Sequence, residues 1–189
     1  MPSHDSSVGS ALRFWSRLIT VRTNRLEELL CDLGSGKGLV RLRARETLAA
    51  IGEPALEALV QLLGSPEPRL RWEAAKALTE IPEPAAIPGS TALLGERRSE
   101  IRWLAAVGLI NLGTRSVPYV LEALTKQAGS REFQQGSHHV FNDLAARNTV
   151  LAEILGPVLE VLDSSSPDAG IIASRAGAAL EALRALSAD

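Results

Sequence analysis

Three short stretches of the chain repeat one arrangement of apolar and polar positions. The clearest covers 70–81, and similar stretches cover 40–51 and 101–112. In 70–81 the apolar side chains recur at the spacing of one face of an α-helix: Leu70, Ala74, Leu78 and Ile81. Each stretch places an arginine directly after its first branched apolar residue, and the three are Arg41, Arg71 and Arg102. Because these arginines stand 30 and 31 residues apart, the pattern predicts tandem repeats of a helical unit.

Glycine and proline separate these helices into pairs. Gly52-Glu53-Pro54 and Pro82-Glu83-Pro84 each end one predicted helix and start another. The later units are less regular, and Gly156-Pro157 resembles Val117-Pro118 at a distance of 39 residues, which indicates an insertion of about eight or nine residues. The spacing predicts a tail over 1–10 and a single repeat domain over 11–187. Within this domain a capping helix covers 11–22. The five repeats cover about 25–51, 54–81, 84–112, 115–148 and 151–187.

Composition narrows the class of protein. Hydrophobic residues make up 46% of the chain but aromatic residues only 4%, which suits closely packed Ala- and Leu-rich helices better than a sheet. The net charge of −2 and the absence of a basic stripe give no argument for nucleic acid, although basic residues outnumber acidic ones over 1–45. A single cysteine, no secretory pattern and no long apolar run lead us to expect a cytoplasmic protein.

The quoted stretches resemble HEAT repeats, and more specifically the short HEAT-like repeats of the phycobilisome-lyase type. The likeness is carried by VRLRARETLAAIGEPALEALVQLLGSPEPRLRWEAAKALTEI, which starts at Val40. It extends over about 25–187, with three well-matched pairs and two degenerate ones. It implies an all-α fold, a right-handed α-solenoid of about five helix pairs with an N-terminal capping helix.

The resemblance also implies that the arginine-bearing helices line the concave side, with the positions just after each arginine pointing outward there. Helical geometry agrees, since Trp72 lies about 200° around the helix from Leu70. The fourth unit is aligned on Leu144. These positions predict a partner-binding patch of Leu42, Arg43, Trp72, Glu73, Lys76, Trp103, Leu104, His138, His139 and Asn142. The alternative for both tryptophans is that they fill grooves between repeats.

Four other features suggest phosphate, nucleotide, metal or thiol chemistry, and each of them also has a structural explanation. The repeated arginines could bind phosphates. They could also pair with loop carbonyls or acids of a neighbouring repeat, which we favour because the arginines belong to the packing motif. The loop 34–38, GSGKG, lacks the spacing and the preceding strand of a phosphate-binding loop. Adjacent His138 and His139 point about 100° apart on a helix, so we expect no metal. Cys31 lies among leucines and is expected to be buried.

The segment 11–22, ALRFWSRLITVR, predicts a basic amphipathic helix. It could cap the first repeat or contact a membrane surface or partner, and we favour the cap because an array must close its exposed end. No constellation of nucleophile, base and acid stands out. We therefore expect no enzyme and no cofactor or small-molecule substrate.

The function that the sequence favours is a scaffold that binds a protein or peptide on its concave face. Two alternatives stay open. One is a bilin lyase-like or phycobiliprotein-associated protein, which the resemblance alone suggests. The other is a weak nucleic-acid binder that uses the basic N-terminal part.

Overall fold

The computed structural model describes residues 25–186, so the predicted tail 1–10 and capping helix 11–22 lie outside the described residues. Within that range the chain forms α- and 3-10 helices without a β-strand, which confirms the all-α prediction. The described part of the first helix, α1, covers 25–33. The others are α2 Gly38–Ile51, α3 Glu53–Leu62, α4 Pro68–Glu80, α5 Ile87–Ala92, α6 Ser99–Asn111, α7 Val117–Gln127, α8 Arg131–Ala146, α9 Thr149–Leu162 and α10 Ala169–Leu186.

Local sequence explains where these helices begin. Prolines stand in the first turns of α3, α4 and α7, where a missing N–H costs nothing. Later helices use side-chain caps instead: the backbone N–H of Phe133 donates to Ser130 Oγ at 3.2 Å, and that of Leu151 donates to Asn148 Oδ1 at 3.1 Å. Gly52 separates α2 from α3 at φ 71°, a backbone conformation that favours glycine. The predicted turn at this position is therefore confirmed.

Four helices stack side by side in what we call the arginine row: α2, α4, α6 and α8. Their first residues are 30, 31 and 32 residues apart, at Gly38, Pro68, Ser99 and Arg131. Fully buried leucines such as Leu48, Leu78 and Leu109 hold this row against the helices behind it. The row confirms the α-solenoid.

The end of the array departs from this regular order. A regular fifth pair would continue the arginine row with α10, but α9 packs on α8, and α10 packs on α7 and α9. Helices α7 to α10 thus contact each other in a ring, as the helices of a four-helix bundle do. The last of the five predicted helix pairs therefore does not extend the arginine row with its second helix, because α9 takes the place beside α8 and α10 packs on α7.

The echo between Val117-Pro118 and Gly156-Pro157 explains this error. Pro118 stands in the first turn of α7, whereas Pro157 lies inside α9, which starts eight residues earlier at Thr149. The inserted residues are therefore the first two turns of a longer helix. That length lets α9 lie along the 16-residue α8.

Candidate functional site

The repeated arginines bond to the loops that precede their own helices. Arg41 Nη1 donates to Ser35 O at 2.8 Å, Arg71 Nη1 to Ser65 O at 2.8 Å, and Arg102 Nη1 to Glu96 O at 2.9 Å. Each bond reaches six residues back along the chain. The structural explanation of these arginines is confirmed, since each holds the entry loop of its helix.

The same bond fixes the alignment of the fourth unit. Gln134 Nε2 donates to Ala128 O at 2.6 Å, again six residues back, so Gln134 takes the place of Arg102. Gln135 then stands at the position of Trp103, and His139 follows one turn later at the position of Val107. The alignment on Leu144, which placed His138 after Trp103, is wrong by three residues. Three residues are nearly one helical turn, so the apolar pattern alone did not distinguish the two registers.

The predicted patch is divided among three grooves along the arginine row. Lys76 and Leu104 line a groove of about 360 Å³ between α4 and α6. Trp103 and His139 line one of about 150 Å³ between α6 and α8. His138 lines the largest, of about 610 Å³, between α8 and the loop after α9. Of the remaining positions, Arg43 and Asn142 are exposed and Leu42 is half-buried.

The two tryptophans differ although they occupy equivalent positions. Trp72 is half-buried and packs against the hydrophobic core, as the groove-filling alternative expects. Trp103 is 57% exposed and forms a wall of its groove together with Gln135 and His139. Of these two tryptophans, Trp103 thus offers the larger exposed apolar surface to a partner.

Glu73 does not point outward, and its place in the patch is wrong. Its side chain is 8% exposed and lies between two arginines of α2. Glu73 Oε1 accepts from Arg41 Nε at 2.9 Å, and Oε2 accepts from Arg45 Nη1 at 2.8 Å. Two guanidinium groups facing this position draw the carboxylate into the joint between α2 and α4.

The largest groove exists because of the irregular end of the array. Since α9 runs back along α8, its C-terminal loop lies beside the N-terminal half of α8. Asp163 Oδ1 lies 2.8 Å from His138 Nε2 and joins the two sides. The rest of the lining was absent from the predicted patch: Arg131, Gln134, Gln135, Leu162, Ser164, Ser165, Ser166 and Pro167. A long polar side chain at the fourth residue of a helix, as at Gln134, was the available signal.

Positive charge collects around these grooves. Arg102 Nη2 donates to Gln135 Oε1 at 3.1 Å, and its other described bonds go to backbone carbonyls. At the start of α6, a backbone hydrogen bond lowers the pKa of Glu100, with nearby Arg98 and Arg102 adding to the effect. The arrangement suits recognition of a polar or anionic group next to an apolar one.

Metal binding has no ready-made site in residues 25–186. No three side chains of the His, Cys, Asp and Glu types come together there in a way that could hold a metal ion.

Cys31 is exposed, so the expectation of a buried thiol is wrong. It faces away from Leu29 and Leu33, which are the buried positions of α1. No helix in the described range is both long and apolar enough to cross a bilayer.

Comparison with models of protein families gives a match to a repeat family. A family model described as HEAT repeats matches residues 26–110 and, in a second overlapping match, 56–136. Together the two matches span more than half of the 189-residue chain. No curated protein matches the sequence, and no solved structure matches it either.

Proposed function

The chain belongs to the HEAT-repeat family, and we propose that it is a non-enzymatic scaffold that binds a protein or peptide along the arginine row. Repeat arrays of this kind offer an extended surface made of equivalent positions on successive helices. The resemblance implies that the arginine row lines the concave side. The proposal makes this surface, and not a catalytic pocket, the working part of the molecule.

One observation carries the proposal, the exposure of Trp103. An indole that is 57% exposed leaves a large apolar area in water, whereas the equivalent Trp72 is packed. Tryptophan is enriched among the residues that dominate binding energy at interfaces. The groove beside Trp103, lined also by Ala106 and Gly136, would take an apolar side chain of the partner.

A matched pair of variants tests this assignment. Trp103→Ala removes the indole from the arginine row, and Tyr119→Ala removes an aromatic ring that is 48% exposed on α7, outside that row. The full chain and both variants would be used to capture proteins from lysate of the native host, followed by quantitative mass spectrometry. We expect partners to be lost with Trp103→Ala and retained with Tyr119→Ala. Circular dichroism should show unchanged helix content in all three.

Partners that are captured equally well by the Trp103→Ala variant would contradict the proposal.

The bilin lyase-like alternative makes a separate prediction, since the chain would then transfer a bilin to an apo-phycobiliprotein. Incubation of the three components, followed by absorbance spectroscopy, distinguishes it from a scaffold. Covalent attachment that depends on the chain would favour the enzyme.

A further inference from the structure

We propose that the partner segment is an acidic peptide that carries one large apolar side chain, bound across the two grooves on either side of Gln135. This inference rests on the proposed function and adds the chemistry of the partner. The apolar side chain would pack on Trp103, and the acidic side chains would face Arg131 and Arg102. No nucleotide or lipid is required by this arrangement.

The two grooves form one continuous surface. Gln135 lines both the groove of Trp103 and the large groove of Arg131 and His138. An extended peptide advances about 3.3 Å per residue, and neighbouring helices lie about 8–10 Å apart. Side chains three residues apart in such a segment therefore reach from one groove into the next.

The charges that line this surface are unbalanced. Arg131 is exposed and has no ion pair among the described residues, and Arg102 bonds to carbonyl and amide oxygens without a carboxylate partner. The single carboxylate that lines either groove in the described range is Asp163, which contacts His138. The guanidinium group of Arg131 is thus free to pair with an acid supplied by a partner, and Arg102, which also lies near Glu100, adds positive charge beside it.

Helix ends add to this field. The first turns of α6 and α8 border the grooves at Ser99 and Arg131, and helix N-termini carry partial positive charge. The C-terminal end of α9 also faces the large groove, but two of its carbonyls are occupied within the loop. Asp163 N–H donates to Leu159 O at 2.8 Å, and Ser164 N–H donates to Val161 O at 3.2 Å.

A peptide fits these features better than a nucleic acid does. Binding a phosphate backbone takes a long track of basic side chains, since each neutralised phosphate contributes separately. The surface offers two arginines next to an apolar groove, which matches a short segment with few charges and one anchor. The apolar groove of Trp103 and the arginines beside it attract different side chains of the peptide. Together they set its position and its direction.

Selection from a library of random linear peptides displayed on phage tests the inference, with the full chain immobilised. We expect the recovered peptides to be enriched in Glu and Asp around a Leu, Phe or Trp. Synthetic copies should bind about tenfold or more weakly to Trp103→Ala and to Arg131→Glu. Arg175→Glu, which makes the same charge change at an exposed position of α10, should bind as the unaltered chain does.

Any other outcome would overturn the inference or a named part of it. Peptides that depend on Trp103 but are neutral or basic would overturn the acidic chemistry and leave the scaffold function standing. Peptides that bind equally to Trp103→Ala would overturn both. Equal weakening by Arg131→Glu and Arg175→Glu would show a general charge effect and refute the assignment of Arg131. Recovery of no peptide at all would refute the inference.

Discussion

Glu73 and Arg45 form an almost fully buried ion pair across the joint between α2 and α4, with Glu73 Oε2 2.8 Å from Arg45 Nη1. Arg45 also reaches Glu80, with Nε 3.2 Å from Oε1. The equivalent of Glu73 in α6 is Leu104, so this ionic joint is not repeated at the next step along the row. The first two helices of the row are therefore held together by charge as well as by apolar packing.

Replacing Glu73 by leucine should destabilise the fold. The change leaves Arg45 buried without its main partner, and breaking a buried pair from one side costs about 3 kcal/mol or more. Urea unfolding followed by circular dichroism would measure the loss. The double variant Glu73→Leu with Arg45→Met should recover most of it, because no buried charge is then left uncompensated at that position. A single variant with unaltered stability would contradict this account of the joint.

Gly108 should tolerate no side chain, because α4 and α6 approach each other closely there. A Cβ atom at this position would lie 2.7 Å from Thr79 Cβ, so one helix would have to move. We expect Gly108→Ala to lower the free energy of unfolding by about 1–3 kcal/mol. Gly177→Ala in α10 is the matched control, since nothing lies within 4 Å of its added Cβ. That variant should be neutral or stabilising by up to about 1 kcal/mol, and equal effects at the two sites would argue against close packing at Thr79.

Ser137 offers a stabilising substitution. Its hydroxyl is fully buried without a hydrogen-bond partner, and the equivalent positions in the earlier units hold alanine, namely Ala44, Ala74 and Ala105. Ser137→Ala should raise the free energy of unfolding by about 1 kcal/mol, because an unpaired buried hydroxyl is removed. Ser116→Ala is the opposite case, since Ser116 Oγ donates to Gly113 O at 2.8 Å, and it should cost about 1 kcal/mol. Chemical denaturation of both variants checks the sign, and destabilisation by Ser137→Ala would show that its hydroxyl has a partner.

Glu122 should titrate below the usual range of a glutamate. A hydrogen bond from the side chain of Lys126, 2.7 Å away, is the main cause that lowers the pKa of Glu122. Because the pKa is lower in the folded chain, the pair stabilises the fold above the unfolded pKa, and this contribution is lost as pH falls through the folded pKa. NMR titration of the Glu122 side chain measures the value. Lys126→Met should bring it back toward the ordinary pKa, and an unchanged pKa would contradict the assigned cause.

Some residues of the predicted patch are exposed and others are buried, and the sequence did not distinguish the two groups. Trp72 and Trp103 share one repeat position, yet one packs on the core and the other is exposed. Glu73 follows Trp72 directly but is buried, because two arginines on the neighbouring helix face it. The environment of a repeat position depends on side chains of the next helix, about 30 residues away in sequence. Periodicity within one helix carries no information about them.

By itself the sequence determined the helical class, the repeat length and the turn positions, because apolar spacing, proline and glycine act within a few residues of one another. It also favoured a structural role for the repeated arginines, and the bond that each one makes to a loop carbonyl spans six residues. Only the tertiary structure decided that α9 joins α8 and that α10 packs on α7, and with this it created the groove between Arg131 and Asp163. An amphipathic helix can pack in the arginine row or among the helices behind it. Its place follows from the contacts that bury the most apolar surface over the whole end of the array.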